Sequence, residues 1–482
     1  MRPAAGALAL LLGLGPAVTV AEPKPAALRR AITPIVARHE LATAFWGIEV
    51  RGLRSGRTLF ALNAGRAFRP ASTLKLVTTA AALDAFGPGA RPRTTVETAA
   101  RLDALGRVLG DVYLVGGGDP NLSARFTPGR PTAAFEEMAD ALVAAGVRRI
   151  EGRLIGQEAA FSGEGRGSDW TWEDLAWGYG AAVSALSFND GVVAVRLFPG
   201  ERPPDPALLE IDPPTPLLDV TSTVATAAPG AASDVRLARA PGSNAVRLLG
   251  ALPIGTTWSG EVAVGDPARF AVTAFAAVLE SRGVRVTGGL DTSRAPLAPG
   301  TRVLAAHDGV PLAEEIRVVN KESQNLHAEM LLRLLGLRSA GDGSAEKGRA
   351  AVAAFLERLG VPTGGWQLTD GCGLARTDLV TPEGMAALLA AMDAHPQAAN
   401  FRNSLPVAGR DGTLAMRLRG TPAEGRVQAK TGSLNLVNAL AGYATTKDGD
   451  RVAFAVFVNN HAGRSHDAVA AIDDVVGALV SR

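Results

Sequence analysis

One cysteine, Cys372, stands in 482 residues, so no intramolecular disulfide framework exists and the core must hold by burial alone. Charge of a single sign is also missing. There are 49 basic and 47 acidic residues, a net charge of +2, and no long run of either kind. A nucleic-acid or anionic-membrane partner therefore has no electrostatic support. Three tyrosines and six tryptophans are too few and too scattered for a base-stacking surface. Beyond the N-terminus no stretch reaches the roughly 18 apolar residues of a membrane span. There is no G-x-S-x-G elbow, and His39, His307, His327, His395, His461 and His466 carry neither a triad motif nor H-E-x-x-H. A Ser-His-Asp hydrolase and a zinc peptidase are thereby excluded. "VGGGDP" is followed by no G-K-[ST] and reads as a tight turn rather than a phosphate loop. No metal and no cofactor is expected.

What is present begins with "MRPAAGALALLLGLGPAVTVAEPKP", which has one arginine, an apolar stretch from Ala4 to Leu14, and small residues at Thr19 and Ala21. It reads as a secretory signal peptide over residues 1–21, implying a soluble, exported, periplasmic protein. Hydrophobic residues make up 47% and charged residues 20%, enough for a sizeable core. An amphipathic helix follows at "ALRRAITPIVARHELATA", then a hairpin about Arg54-Ser55-Gly56, then a helix after Pro70 that is apolar nearly all round and stops at Gly87. From about Val96 short β-like runs alternate with Gly/Pro/Asp turns, with helices only near Phe135–Gly146 and Ala268–Gly283. Helical texture returns at Leu312, and three strand-like runs and a last helix close the chain. The expected fold class is α+β. Residues 22–95 and 299–482 share an antiparallel sheet flanked by helices, and residues 96–298 form a mostly-β insertion.

Within "RPASTLKLVTTAAAL" (Arg69–Leu83), Ser72 and Lys75 share one helix face, with Cβ atoms about 5–6 Å apart. A hydroxyl becomes a nucleophile only when a base takes its proton, and lysine serves only when burial or a second cation lowers its pKa. The local alternative is a helix cap at Ser72 with Lys75 reaching solvent. A second S-x-x-K, Ser344 to Lys347, lies between glycines and charges, where a cap explains it fully. Ser323-Gln324-Asn325 sits between two helical runs and would alone read as another cap; Ser187-Phe188-Asn189 and Ser433-Leu434-Asn435 match S-x-N equally. Lys430-Thr431-Gly432-Ser433 occurs once, near a strand end, where Gly432 lets another backbone approach. The order S-x-x-K, S-x-N, K-T-G is far more specific than any member, and Lys430 supplies the second cation. The trio favours chemistry.

This trio resembles the penicillin-recognising serine enzymes, the D-Ala-D-Ala peptidases and serine β-lactamases. From Ser72 to Ser323 is 251 positions, more than a compact β-lactamase allows. The pattern is similar to the class C low-molecular-mass penicillin-binding proteins, the D-alanyl-D-alanine carboxypeptidase/endopeptidase family of S13 type. "LVGGGDPNLS", "SALSFND", "DGCGLARTDLVTP" and "LPVAGRDGTL" extend the likeness over the mature chain.

The resemblance implies a penicillin-binding transpeptidase-like domain interrupted by a large β-rich insertion. It also implies roles: Ser72 as nucleophile, Lys75 as base, Ser323 relaying a proton, Asn325 holding the substrate amide. Lys430 and Thr431 would bind the terminal carboxylate, and the Ser72 and Ser433 N–H groups would form the oxyanion hole beside Gly432. Asp174, in "WTWEDLAWGYG", would meet the free amine of the stem peptide, and Arg376 would border the site; an ordinary surface charge is an equal reading of both. The implied partners are peptidoglycan stem peptides ending in D-Ala-D-Ala or cross-linked, with β-lactams as covalent inhibitors. Departures are Gln324, where aspartate is frequent, and Cys372, where serine is expected. The alternatives are a long serine β-lactamase and a non-catalytic peptidoglycan-binding homologue. Oligomeric state is not readable from the chain.

Overall fold

A computed structural model describes residues 25–481; the signal-peptide segment lies outside the described residues. The hairpin expected about Arg54–Gly56 forms, its strands running Phe45–Gly52 and Thr58–Leu62. The three C-terminal runs become strands Val427–Leu434, Val437–Thr445 and Arg451–Asn459. Phe45–Gly52 pairs with Arg451–Asn459, so the two ends of the chain join in one antiparallel five-stranded sheet.

Alternate residues of this sheet enter different cores. Ala453, Ala455 and Phe457 face one cluster with Leu76, Leu388 and Met385. Val452, Phe454, Val456 and Val458 face another with Leu28, Ile32, Ile472 and Val476. Both faces are therefore covered: by helices that include Lys75–Phe86, Asn325–Ala340 and Pro382–Asp393 on one side, and by Pro25–Val36 and Ser465–Val480 on the other. This is why the strands read as near-continuous apolar runs rather than as an alternation.

The chain between these parts builds a separate hydrophobic cluster from residues between Val96 and Ala305. Its helices, Ala133–Ala144 and Pro267–Ser281, pack Phe135, Phe188 and Phe275 together. Its largest sheet has five strands, in the order Leu290–Ser293, Leu154–Gln157, Val112–Val115, Arg93–Thr98, Arg302–Asp308. The last two strands in that order, Arg93–Thr98 and Arg302–Asp308, pair with each other across the entry and exit of this region. Neither stands out in the sequence, because RTTVET has Val96 as its one apolar residue and RVLAAHD has no apolar-polar alternation. Among the described residues no helix is long and apolar enough to cross a membrane.

Candidate active site

Ser72 lies in a single 3-10 turn, Ala71–Leu74, that runs straight into the helix Lys75–Phe86. Its entry is tied to the central sheet, since the Arg69 N–H donates to Asn459 Oδ1 at 2.8 Å and Asn459 Nδ2 donates to the Arg69 carbonyl at 3.2 Å. Ala71 is held at a φ of +47°, a conformation costly for a residue with a Cβ. Two glycines accommodate it. A Cβ on Gly373 would lie 1.9 Å from the Ala71 carbonyl oxygen, and one on Gly432 would lie 2.6 Å from that of Pro70. Gly432 thus brings the K-T-G strand against the backbone before Ser72, and Ser433 lines the same cleft as Ser72.

The bland reading of Lys75 fails, for it is fully buried. Its Nζ makes three contacts: Ser72 Oγ at 2.9 Å, Asn325 Oδ1 at 2.6 Å and the Cys372 carbonyl at 2.8 Å. Burial pushes its pKa below the usual lysine range, against the opposing pull of Asp370 and Glu329. Lys430 is equally buried, and burial together with the Lys75 charge drives its pKa well below the ordinary value. The second lysine is in place, and repulsion between the two ammonium forms acts on Lys430.

Ser323 does not cap the following helix; Gln324 occupies that position. A π-turn, Val318–Glu322, delivers Ser323 into a left-handed conformation (φ +66°), and its Oγ accepts from Lys430 Nζ at 2.8 Å. Lys430 Nζ also donates to the Thr431 carbonyl, and Thr431 Oγ1 to Thr413 Oγ1, each at 2.8 Å. Asn325 is oriented from both ends, since its Nδ2 donates to the Tyr179 carbonyl at 2.8 Å. Gln324 turns away from the cleft, toward Asp190. The rival Ser344 is a plain cap, accepting from the Lys347 N–H at 3.2 Å.

A cleft of about 400 Å3 lies over these groups, lined by Ser72, Ser323, Asn325 and Ser433 on one side and by Asp174, Tyr179 and Arg376 on the other. Asp174 and Arg376 are one pair, not two scattered surface charges: Arg376 Nη1 donates to Asp174 Oδ2 at 3.1 Å, and Asp174 is 6% exposed. The Thr171 N–H and hydroxyl hold the same oxygen. Cys372 leaves the loop intact, because Asp370 accepts from the N–H groups of Cys372, Gly373 and Ala375. Burial raises the thiol pKa well above its usual value, so it is an inert neutral group. Two contributors escaped the sequence reading. The Cys372 carbonyl has no side-chain signature, and Tyr179 acts through its backbone in a stretch notable only for its aromatics.

The D-Ala-D-Ala carboxypeptidase 3 (S13) family model matches residues 28–479. The chain belongs to this family. It is 35% identical over 473 residues to the D-alanyl-D-alanine carboxypeptidase of Actinomadura sp. (strain R39), covering 95% of this chain and 86% of that one. The crystal structure of penicillin binding protein 4 (dacB) from Haemophilus influenzae superposes with a TM-score of 0.81 at 22% identity, over 95% of this chain and 99% of that one. The same Haemophilus protein complexed with a novel β-lactam gives 0.76 at 21% identity, over 94% and 99%. The S13 chain therefore has the α+β penicillin-binding-protein fold that the sequence motifs imply, and it is a serine-type D-Ala-D-Ala carboxypeptidase.

Proposed function

We propose that this enzyme cleaves D-Ala-D-Ala ends, and cross-linked stem peptides, through an ester on Ser72. The observation that carries the reading is the set of oxygens around Lys75. A neutral amine has two N–H donors and one lone pair. Asn325 Oδ1 and the Cys372 carbonyl occupy the two donors, so the lone pair is left for the Ser72 hydroxyl at 2.9 Å. Burial lowers the pKa of this amine, which favours the base over the ammonium.

In this mechanism Ser72 Oγ attacks the penultimate D-Ala carbonyl while Lys75 takes its proton. Backbone N–H groups of Ser72, in a first helical turn, and of Ser433, in the strand Val427–Leu434, receive the oxyanion. Ser323, in contact with Lys430, passes a proton to the leaving D-Ala amine. Lys430 and Thr431 hold the terminal carboxylate, and Asn325 the substrate amide. Water then hydrolyses the ester. Asp174, flanked by Arg376, recognises the amine-bearing side of the stem peptide. A β-lactam presents the same acyl group with a tethered leaving group and forms a lasting ester.

The catalytic unit of 22–95 with 299–482, the inserted unit of 96–298, and export to the periplasm by residues 1–21 are parts of the same proposal. The test is intact-protein mass spectrometry after brief exposure to benzylpenicillin, alongside D-Ala release from a D-Ala-D-Ala peptide. The wild type gains the mass of one penicillin and releases D-Ala, and Ser72→Ala does neither. A Ser72→Ala protein that still carries the adduct removes Ser72 as nucleophile.

A further inference from the structure

The loop Ser187–Gly191 has an unusual backbone. Asn189, Asp190 and Gly191 are three consecutive residues in the left-handed region, at φ of +50°, +55° and +68°. Two of them carry a Cβ, and such strain persists only where surrounding contacts over-determine it. Here the Asn189 N–H donates to the Leu122 carbonyl and its Nδ2 to the Val192 carbonyl, each at 2.9 Å. The result is that one carboxylate, that of Asp190, is aimed out of the inserted region at the segment carrying Ser323 and Asn325.

That carboxylate is fully engaged. Its Oδ1 meets His327 Nε2 at 2.9 Å, and its Oδ2 accepts from Gln324 Nε2 at 3.4 Å and from Arg125. Arg125, on another loop of the same region, donates its second guanidinium nitrogen to Glu322. The residues gripped are therefore Glu322, Gln324 and His327, which bracket Ser323 and Asn325 on both sides. His327 is anchored behind by Glu315 at 2.8 Å. From the opposite side Lys430 holds Ser323, and Lys75 holds Asn325.

We infer that Asp190 and Arg125 are positioning residues for acyl transfer: the inserted region grips the Glu322–His327 segment so that Ser323 and Asn325 meet the two lysines in register. The inference rests on the roles proposed above for Ser323 and Asn325. Neither Asp190 nor Arg125 touches the reacting atoms, and both are separate from the cleft residues Asp174 and Tyr179 that face the substrate.

The test compares wild type, Asp190→Asn, Arg125→Met, Arg125→Lys and Glu322→Gln, with Ser72→Ala as control. It measures kcat and KM for a D-Ala-D-Ala peptide, the acylation rate with a fluorescent penicillin, and the melting temperature. Asp190→Asn and Arg125→Met are expected to lose about ten- to a hundredfold in kcat and acylation rate, about 1.4–2.7 kcal/mol of barrier, with peptide KM within about twofold. Arg125→Lys keeps a cation and recovers part of the loss. Unchanged kcat and acylation with a lowered melting temperature would make the pair mere glue between regions and overturn the inference. Should those variants fail to fold, Glu322→Gln decides, because its side chain is half-exposed. Slower acylation at an unchanged melting temperature supports the inference, and an unchanged rate overturns it. Adduct formation by Ser72→Ala would instead overturn the site reading itself, and this inference with it.

Discussion

The two regions of this molecule solve the problem of holding a site in opposite ways. The central sheet is continuous and buried on both faces; within Val437–Thr445 only the last residue has appreciable exposure. Several strands of the inserted region are short and half-wet, as in Leu208–Asp212, where exposed and partly buried residues alternate. Every group given a role in bond making or proton transfer stands on the first kind of scaffold: Ser72, Lys75, Ser323 and Lys430. Of the groups proposed to select or align, Asp174, Tyr179, Arg125 and Asp190 stand on loops of the second, while Asn325, Thr431 and Arg376 belong to the first. Chemistry needs placement within tenths of an ångström and sits where the backbone is over-determined, whereas part of the recognition is left to a looser support.

The largest effect that could break this comparison comes from Lys75→Ala. It should lower penicillin acylation by about a hundred- to ten-thousandfold while the fold persists, as expected for loss of a general base. Wild-type acylation should also climb with pH until Lys75 is neutral, and that limb should lie below the ordinary lysine value of 10.5 because burial disfavours the charged form. A rate indifferent to Lys75, or to pH, would remove it as base.

Next comes Phe275→Ala, in the core of the inserted region and fully buried. It should cost about 3–5 kcal/mol. If the regions unfold separately, calorimetry will show one transition lowered and penicillin acylation at 25 °C intact; a single transition moved as a whole would deny their independence. Asp174→Asn should act more selectively. It keeps shape but removes a charge that pairs with Arg376. Peptide kcat/KM should drop about tenfold, with penicillin acylation within about twofold. Equal losses on both would place Asp174 in the chemistry rather than in selection.

The smallest effect concerns the seam. His327 lies buried between Glu315 and Asp190; burial alone would lower its pKa, but the two carboxylates prevail and raise it from 6.5 to about 10. A raised folded-state pKa means that protonation stabilises the fold. The contribution is complete below pH 6.5 and is lost as pH climbs through about 10. Thermal melts of the wild type should therefore decline over that window more steeply than those of His327→Gln. Parallel curves would mean that the imidazolium adds nothing.

Legibility divides along the same line. The S-x-x-K, S-x-N and K-T-G residues were readable because nucleophile, base and cation chemistry demand particular side chains. The central strands and their helices were readable because burial on both faces leaves unbroken apolar runs. The fit of Gly373 and Gly432 to a strained Ala71, and the carbonyls of Cys372 and Tyr179, carry no comparable mark: a carbonyl belongs to every residue, and close approach is a property of three dimensions. The strands Arg93–Thr98 and Arg302–Asp308 were missed because the first has Val96 as its one apolar residue and the second has no alternation of apolar and polar side chains. Asp174 and Arg376 were each visible as a charge, but their pairing joins positions 202 residues apart.

The antiparallel partnership of Phe45–Gly52 with Arg451–Asn459 bears on timing. Ser72 leaves the ribosome early, yet the strand that fixes its approach, through Asn459, comes 390 positions after Arg69. At roughly 5–20 residues per second that is about 20–80 seconds of synthesis, during which Ser72 lacks the strand that fixes its approach. A polypeptide cut short before Arg451 is therefore expected to pass unmarked through any concentration of penicillin.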